Sequence, residues 1–209
     1  MQNVEELQQY VDSLTKELVL SSQTVVAAPG CLPAPCFPEI IMKVLGVVTE
    51  HEWEDLTDRA RNYLKWITVK AEAIDELAPR PMHTTTRCFE LLAIDRDGNS
   101  FGEIVERSQE LGIPSVLVRF ASLIATFLTV RLLRQQMERD REVMPSLTFS
   151  QNVDANYLNY PRTLKTLLEL FPEYKEMFYF EINEEITEDY LTTIRELADD
   201  LGIRLALDD

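Results

Sequence analysis

Residues 146–209 are the most informative about the fold class and have the sequence SLTFSQNVDANYLNYPRTLKTLLELFPEYKEMFYFEINEEITEDYLTTIRELADDLGIRLALDD. Short apolar runs alternate in it with amphipathic helical patterns. The predicted strands are 146–152, 177–183 and 203–209. The predicted helices are 161–170, which Pro172 ends, and 187–201, which Gly202 ends. In the second of these helices we expect Leu191, Ile194, Leu197 and Leu201 to point inward. Strands separated by helices in this order are typical of an α/β fold with largely parallel strands.

The same alternation extends towards the N-terminus as far as residue 87. The run CFELLAI (88–94) predicts a strand, and the turn DRDGN (95–99) follows it. Two helices are predicted next, at 101–112 and 115–142. The order β-α-α-β-α-β-α-β therefore indicates an α/β sheet or barrel over 87–209.

Residues 1–86 follow a different pattern and predict a small helical unit with a regulatory or dimerisation role. Apolar residues spaced by three and four mark one face of a first helix, at Val4, Leu7, Val11, Leu14 and Leu18. This face could hold a second copy or another protein partner. The proline-rich segment 27–38 ends the helix, and a short apolar helix follows. Thr49 and Glu52 predict a capping box that opens a helix over 50–77, and the prolines of 78–82 mark the boundary.

Composition excludes several classes of function. The 209 residues carry a net charge of −16, which disfavours binding to nucleic-acid polymers and to anionic membranes. The longest apolar run, 120–130, is shorter than the roughly 20 residues of a membrane span, so we expect a buried helix there. Three cysteines are too few for a secreted disulfide framework, and the polar N-terminus is unlike a secretory signal. These observations predict a cytoplasmic protein.

Oxygen-bearing side chains stand in or at the ends of four predicted strands. They are Glu90, Asn152, Glu181, Asp208 and Asp209. Each has an ordinary explanation by itself: a carboxylate on an edge strand, an amide that caps a turn, or a frayed terminus. Together they would repel one another unless a cation lay among them, and oxygen ligands favour Mg²⁺, Mn²⁺ or Ca²⁺. The pattern therefore predicts a divalent-cation site.

The motifs around these residues resemble the EAL domain, a barrel that binds and often hydrolyses the bacterial second messenger cyclic di-GMP. Glu90 lies in CFELLA, at the place of the family's Glu-Ala-Leu motif. Asn152 begins NVDANYL, Glu181 begins EINE, and Asp208 and Asp209 end LGIRLALDD. The resemblance implies a partial TIM-like barrel, Mg²⁺ or Mn²⁺ as cofactor, and all five residues as metal ligands. It further implies two-metal hydrolysis of a phosphodiester, with Asp208 bridging the two ions.

The chain also departs from the family pattern. Ile94 stands where catalytic members usually carry an arginine, and Asp154 replaces a serine. The resemblance covers 87–209, about the first half of a barrel, and the later catalytic lysine and metal-binding glutamate have no counterpart in it. We expect a continuation of the chain, or another chain, to complete the barrel. A non-catalytic module that binds cyclic di-GMP or a protein partner in bacterial signalling is an alternative, and an unrelated α/β interaction domain is another.

Overall fold

A computed structural model describes residues 4–21, 31–33, 38–49, 53–74, 87–140, 147–153, 157, 160–172, 174–182 and 188–207. Its helices are α1 (Val4–Ser21), α2 (Pro38–Val48), α3 (Asp58–Leu64), α4 (Phe101–Glu110), α5 (Ser115–Asp140), α6 (Pro161–Leu170), α7 (Tyr174–Met177) and α8 (Glu188–Leu201). Its strands are β1 (Cys31–Pro33), β2 (Thr68–Ile74), β3 (Arg87–Ile94), β4 (Leu147–Asn152), β5 (Phe178–Ile182) and β6 (Arg204–Leu207).

The six strands form one sheet in the order β1-β2-β3-β4-β5-β6. The pairs β1–β2 and β2–β3 are antiparallel, whereas β3, β4, β5 and β6 run parallel to one another. The prediction of a mixed α/β fold with a largely parallel sheet is therefore confirmed. Among the described strands β1 and β6 lie at opposite edges, so this part of the chain forms an open sheet and not a closed barrel.

The long helix α5 is the centre of the core. Within the described residues, Ser115–Gln136 is the stretch long and apolar enough to cross a membrane, and 94% of its most apolar window is buried inside the protein. A helix that is apolar on all sides is expected where neighbouring elements cover it completely. The prediction of a buried helix over 120–130 is confirmed.

Aromatic rings join α5 to one face of the sheet. The ring of Phe127 lies 5.1 Å from that of Phe178 and 6.4 Å from that of Phe180, in both cases nearly perpendicular. Phe171, just after α6, approaches the same ring to 5.4 Å. Phe149 of β4 extends the cluster with no exposed surface. These contacts place the phenylalanine-bearing face of the sheet against α5. The opposite face of the sheet is not covered by α5.

The prediction of one helix over 50–77 is wrong. Helix α3 spans only Asp58–Leu64, with the Thr57 side chain accepting a hydrogen bond from Ala60 N at 3.2 Å. Strand β2 follows and pairs with β3. The segment TVKAEAI alternates apolar and polar residues, with Val69 and Ala71 buried, so a period of two prevails over the helical period.

Two further predictions concern this region. The capping box of Thr49 and Glu52 stays a prediction, because Glu52 lies outside the described residues; the Thr49 hydroxyl donates to Leu45 O at 2.7 Å. Because β1 and β2 belong to 1–86, that region is not purely helical as predicted. The boundary segment 78–82 lies outside the described residues, and the division into two domains stays a prediction.

Helix α1 packs into the same core as the sheet. Leu7 and Val11 of its predicted apolar face are buried, and Asp12 pairs with Arg131 of α5 at 2.9 Å. Arg131 is itself buried and also donates to Leu170 O at 2.6 Å, which ties α1, α5 and α6 together. Leu7 and Val11 are thus occupied by the chain's own core, and a dimer through the N-terminal helices stays a prediction.

The connection from β3 to α4 is organised by Asp95. Its carboxylate accepts hydrogen bonds from Asp97 N at 2.9 Å and from Asn99 N at 3.0 Å and Nδ2 at 2.9 Å. Burial would raise the pKa of Asp95, but these hydrogen bonds outweigh it and lower the pKa. Gly98, with φ of +83°, supplies the left-handed residue of the turn. The predicted turn and the helix after it are confirmed.

The amphipathic pattern of α8 is borne out at some positions and not at others. Ile194 and Leu201 are buried, as predicted. Leu191 was expected to point inward but is 39% exposed. The side chain of Leu197 is outside the described part of the structure. Gly202, with φ of +68°, ends the helix where the sequence indicated.

Candidate functional site

The register of the parallel strands brings polar residues onto one face of the sheet. Glu90 of β3 lies opposite Ser150 of β4, and Asn152 of β4 lies opposite Glu181 of β5. Ser150 and Asn152 are two residues apart and therefore point to the same side of their strand. All four side chains consequently share one face, on strands about 4.8 Å apart. This is the side opposite the phenylalanines, and we call it the polar face, defined by Glu90, Ser150, Asn152 and Glu181.

Two of the predicted ligands are in direct contact. Asn152 Nδ2 donates a hydrogen bond to Glu90 Oε1 over 3.0 Å. Glu90 is half-buried, whereas Asn152 is exposed. The bond uses one atom of each group, so Glu90 Oε2 and Asn152 Oδ1 take no part in it. A carboxylate and an amide thus sit side by side with oxygen atoms to offer a ligand.

Glu181 is the second carboxylate among these four residues. It lies opposite Asn152 and is half-buried. Its backbone carbonyl accepts a hydrogen bond from Val153 N at 2.9 Å, which continues the β4–β5 pairing one residue beyond Asn152. The ends of the two strands are therefore held together just where Asn152 and Glu181 stand.

Ser150 is a member of this face that the sequence did not single out. It is only 2% exposed, and its hydroxyl oxygen is buried without a hydrogen-bond partner. The sequence offers one indication for this serine, its position two residues before Asn152. Its burial depends on the neighbouring strands and cannot be seen in the sequence.

A cavity of about 370 Å³ adjoins the carboxyl ends of the strands. Asn152 and Glu181 line it together with Phe101, Ser122 and Tyr157. Tyr157 is fixed there by its hydroxyl, which donates to Arg119 O at 3.1 Å. Pockets that bind small molecules commonly have about 300–1,000 Å³ and combine apolar walls with a few polar groups, so this cavity is of suitable size and lining.

The donor set suits a hard cation. Glu90, Asn152 and Glu181 offer carboxylate and amide oxygens only, the ligands preferred by Mg²⁺ and Mn²⁺. Within the described residues no three His, Cys, Asp or Glu side chains gather into a metal-binding group. The other two predicted ligands, Asp208 and Asp209, lie outside the described residues. Strand β6, which leads to them, pairs with β5 through Ala206 opposite Glu181.

One position of the sheet differs from the pattern of catalytic EAL domains, which usually carry an arginine there. Ile94 lies four residues beyond Glu90 at the end of β3, on the same side of the strand. It is half-buried opposite Thr68 and contributes no charge. In comparisons with known proteins, no family model matches this chain and no curated protein matches it significantly. The residues of the polar face are therefore the main indication of function in this chain.

Proposed function

We propose that the chain is an EAL-type module that binds a divalent cation and a cyclic dinucleotide, with phosphodiester hydrolysis of cyclic di-GMP as its activity. Mg²⁺ or Mn²⁺ would be held by Glu90, Asn152 and Glu181, and by Asp208 and Asp209. The observation that carries the proposal is the 3.0 Å bond between Asn152 and Glu90. It joins two residues 62 positions apart that the family resemblance had assigned to one ion.

The residues have separate roles in this proposal. Asn152 orients the Glu90 carboxylate through its Nδ2 and keeps its own oxygen for the ion. Glu181 adds negative charge from the next strand. A bound divalent cation supplies a water of lowered pKa and neutralises charge on the phosphate. That local charge is needed because a protein of net charge −16 repels an anionic nucleotide at long range.

A second function, binding of the cyclic dinucleotide without hydrolysis, is favoured by Ile94. An arginine at this position would contact a ligand phosphate, whereas an isoleucine offers only apolar surface. The module would then respond to the nucleotide and pass the signal on, with α1 and α2 as candidates for transmission because both pack against α5.

The cation site is tested by thermal unfolding of the full chain with increasing Mn²⁺ or Mg²⁺. Saturation at 100 times Kd stabilises a protein by about 2.7 kcal/mol. We expect this response in the wild type and its loss in Glu181→Gln, which removes a ligand charge but keeps the shape. The matched control is Glu169→Gln on the exposed side of α6, which should respond like the wild type. An unchanged response in Glu181→Gln would contradict the ligand assignment.

Incubation with cyclic di-GMP and Mn²⁺ separates the two functions. Formation of the linear dinucleotide would support the phosphodiesterase. A rise in Tm with cyclic di-GMP but no product would support the binding module. If neither the cations nor the nucleotide changes Tm, both fail, and an unrelated α/β interaction domain is the better explanation.

A further inference from the structure

Ser150 breaks the usual pattern of buried hydroxyl groups in this protein. Five other buried hydroxyls have partners: those of Thr15, Thr49, Ser108, Thr126 and Thr129 each donate a hydrogen bond of 2.7–2.9 Å. The Ser150 hydroxyl, equally buried, has none. An unpaired buried hydroxyl costs free energy, and native structures keep few of them. The missing partner at Ser150 therefore indicates that something else satisfies this group in the functional state.

The location of Ser150 suggests what that partner is. It lies opposite Glu90 in the β3–β4 pairing, and Asn152 follows two residues later on the same side of β4. The Glu90 carboxylate takes a hydrogen bond from Asn152, towards the carboxyl end of the strands. Ser150 thus lies beside Glu90, and it is nearer than Asn152 to the amino ends of the strands.

We propose that Ser150 is a positioning residue of the cation site, and that its hydroxyl donates to the Glu90 carboxylate when this carboxylate turns towards the ion. The inference rests on the proposed function, because it requires a cation at Glu90. Carboxylates that bind a metal are themselves usually held by hydrogen-bond donors behind them, which fix their orientation. Asn152 would donate to one oxygen of the Glu90 carboxylate, and Ser150, on the same strand β4, would donate a second hydrogen bond to this carboxylate.

The proposal predicts opposite effects on stability and on cation affinity. In Ser150→Ala the unpaired hydroxyl is gone, so the Tm without cation should be unchanged or higher. The support of Glu90 is gone as well, so the Kd for Mn²⁺ should rise about 10- to 100-fold. A residue that only supported the fold would lower the Tm when replaced.

The experiment measures the Mn²⁺ Kd and the cation-free Tm of the full chain and three variants. Ser150→Thr keeps a hydroxyl and should hold the Kd within a few-fold of the wild type. Thr148→Ala is the matched control, since Thr148 lies on the same side of β4, one step further from Asn152, and is half-buried. It should leave the Kd unchanged.

Each outcome decides between the possibilities. A weaker Kd in Ser150→Ala, with an unchanged or higher Tm, supports the positioning role. A wild-type Kd in this variant overturns the role and leaves an ordered water as the partner of Ser150, while the cation site stands. A lower cation-free Tm overturns it in favour of a purely structural role. If the wild type itself does not bind Mn²⁺, the proposed function fails and the inference fails with it.

Discussion

Two consecutive buried residues of β4, one on each face of the sheet, differ in their hydrogen bonding. Gln151 points to the side of α5, where its Oε1 accepts a hydrogen bond of 2.7 Å from the Thr126 hydroxyl. Ser150 points to the polar face, where its equally buried hydroxyl has no partner. Next to α5 the Gln151 side chain thus has its partner within the chain, as buried polar groups usually do, although Oε1 of Gln135 and Oε1 of Gln136 on α5 are buried without one. The proposed ligand site at the polar face would account for the unpaired hydroxyl of Ser150.

The largest effect should come from the face that α5 covers. Phe127 contacts the rings of Phe171, Phe178 and Phe180, so Phe127→Ala should lower the free energy of unfolding by about 3–5 kcal/mol. Urea unfolding with an unchanged m-value would measure this. Leu191→Ala, at an exposed position of α8, is the control and should change the free energy by about 0.5 kcal/mol or less. A small loss in Phe127→Ala would mean that this face is not the main core.

A smaller effect should follow from breaking the polar pair on that same face. Thr126→Val removes the donor but keeps the shape, which leaves the Gln151 carbonyl buried and unpaired at a cost of about 1–3 kcal/mol. Adding Gln151→Leu should recover part of this loss, because no polar group is then left unpaired in the pair. A double-mutant cycle in urea measures the coupling. Purely additive losses would contradict a stabilising hydrogen bond between Thr126 and Gln151.

The sequence was sufficient for elements whose pattern is local. Strands β3 to β6 and the helices between them, apart from the short α7, follow from apolar runs and from stop signals such as Gly202, and their predicted bounds agree with the structure within a few residues. Strand β2 was missed because its apolar positions also fit a continued helix, and only pairing with β3 decides for a strand. The intrinsic preference of a segment for helix or strand is small compared with the effect of such tertiary contacts.

The types of residue at the candidate site could be predicted from the sequence, but their burial and their hydrogen-bond partners could not. The contact between Glu90 and Asn152 was expected because carboxyl ends of parallel strands meet at one edge of a sheet. Ser150 could not be found in this way, since its importance lies in burial and in the absence of a partner. Both properties arise from the packing of neighbouring strands, which no local pattern reports.

The smallest effect on stability should come from the polar face itself. The bond from Asn152 to Glu90 is exposed to solvent, so water can replace it in Asn152→Ala. We expect the free energy of unfolding without cation to change by about 0.5 kcal/mol or less, while the stabilisation by Mn²⁺ decreases strongly. Urea unfolding in the presence and absence of Mn²⁺ measures both.

A comparison with the neighbouring residue Gln151 gives a stricter test of the prediction for Asn152→Ala. Gln151→Ala, one residue earlier on the same strand, removes a buried hydrogen-bonded side chain and should cost more than Asn152→Ala even without cation. If Asn152→Ala were the more costly of the two, the Asn152–Glu90 bond would be holding the sheet together. The polar face would then serve the fold as the covered face does, and a stabilising role would replace ligand binding as the reason for its composition.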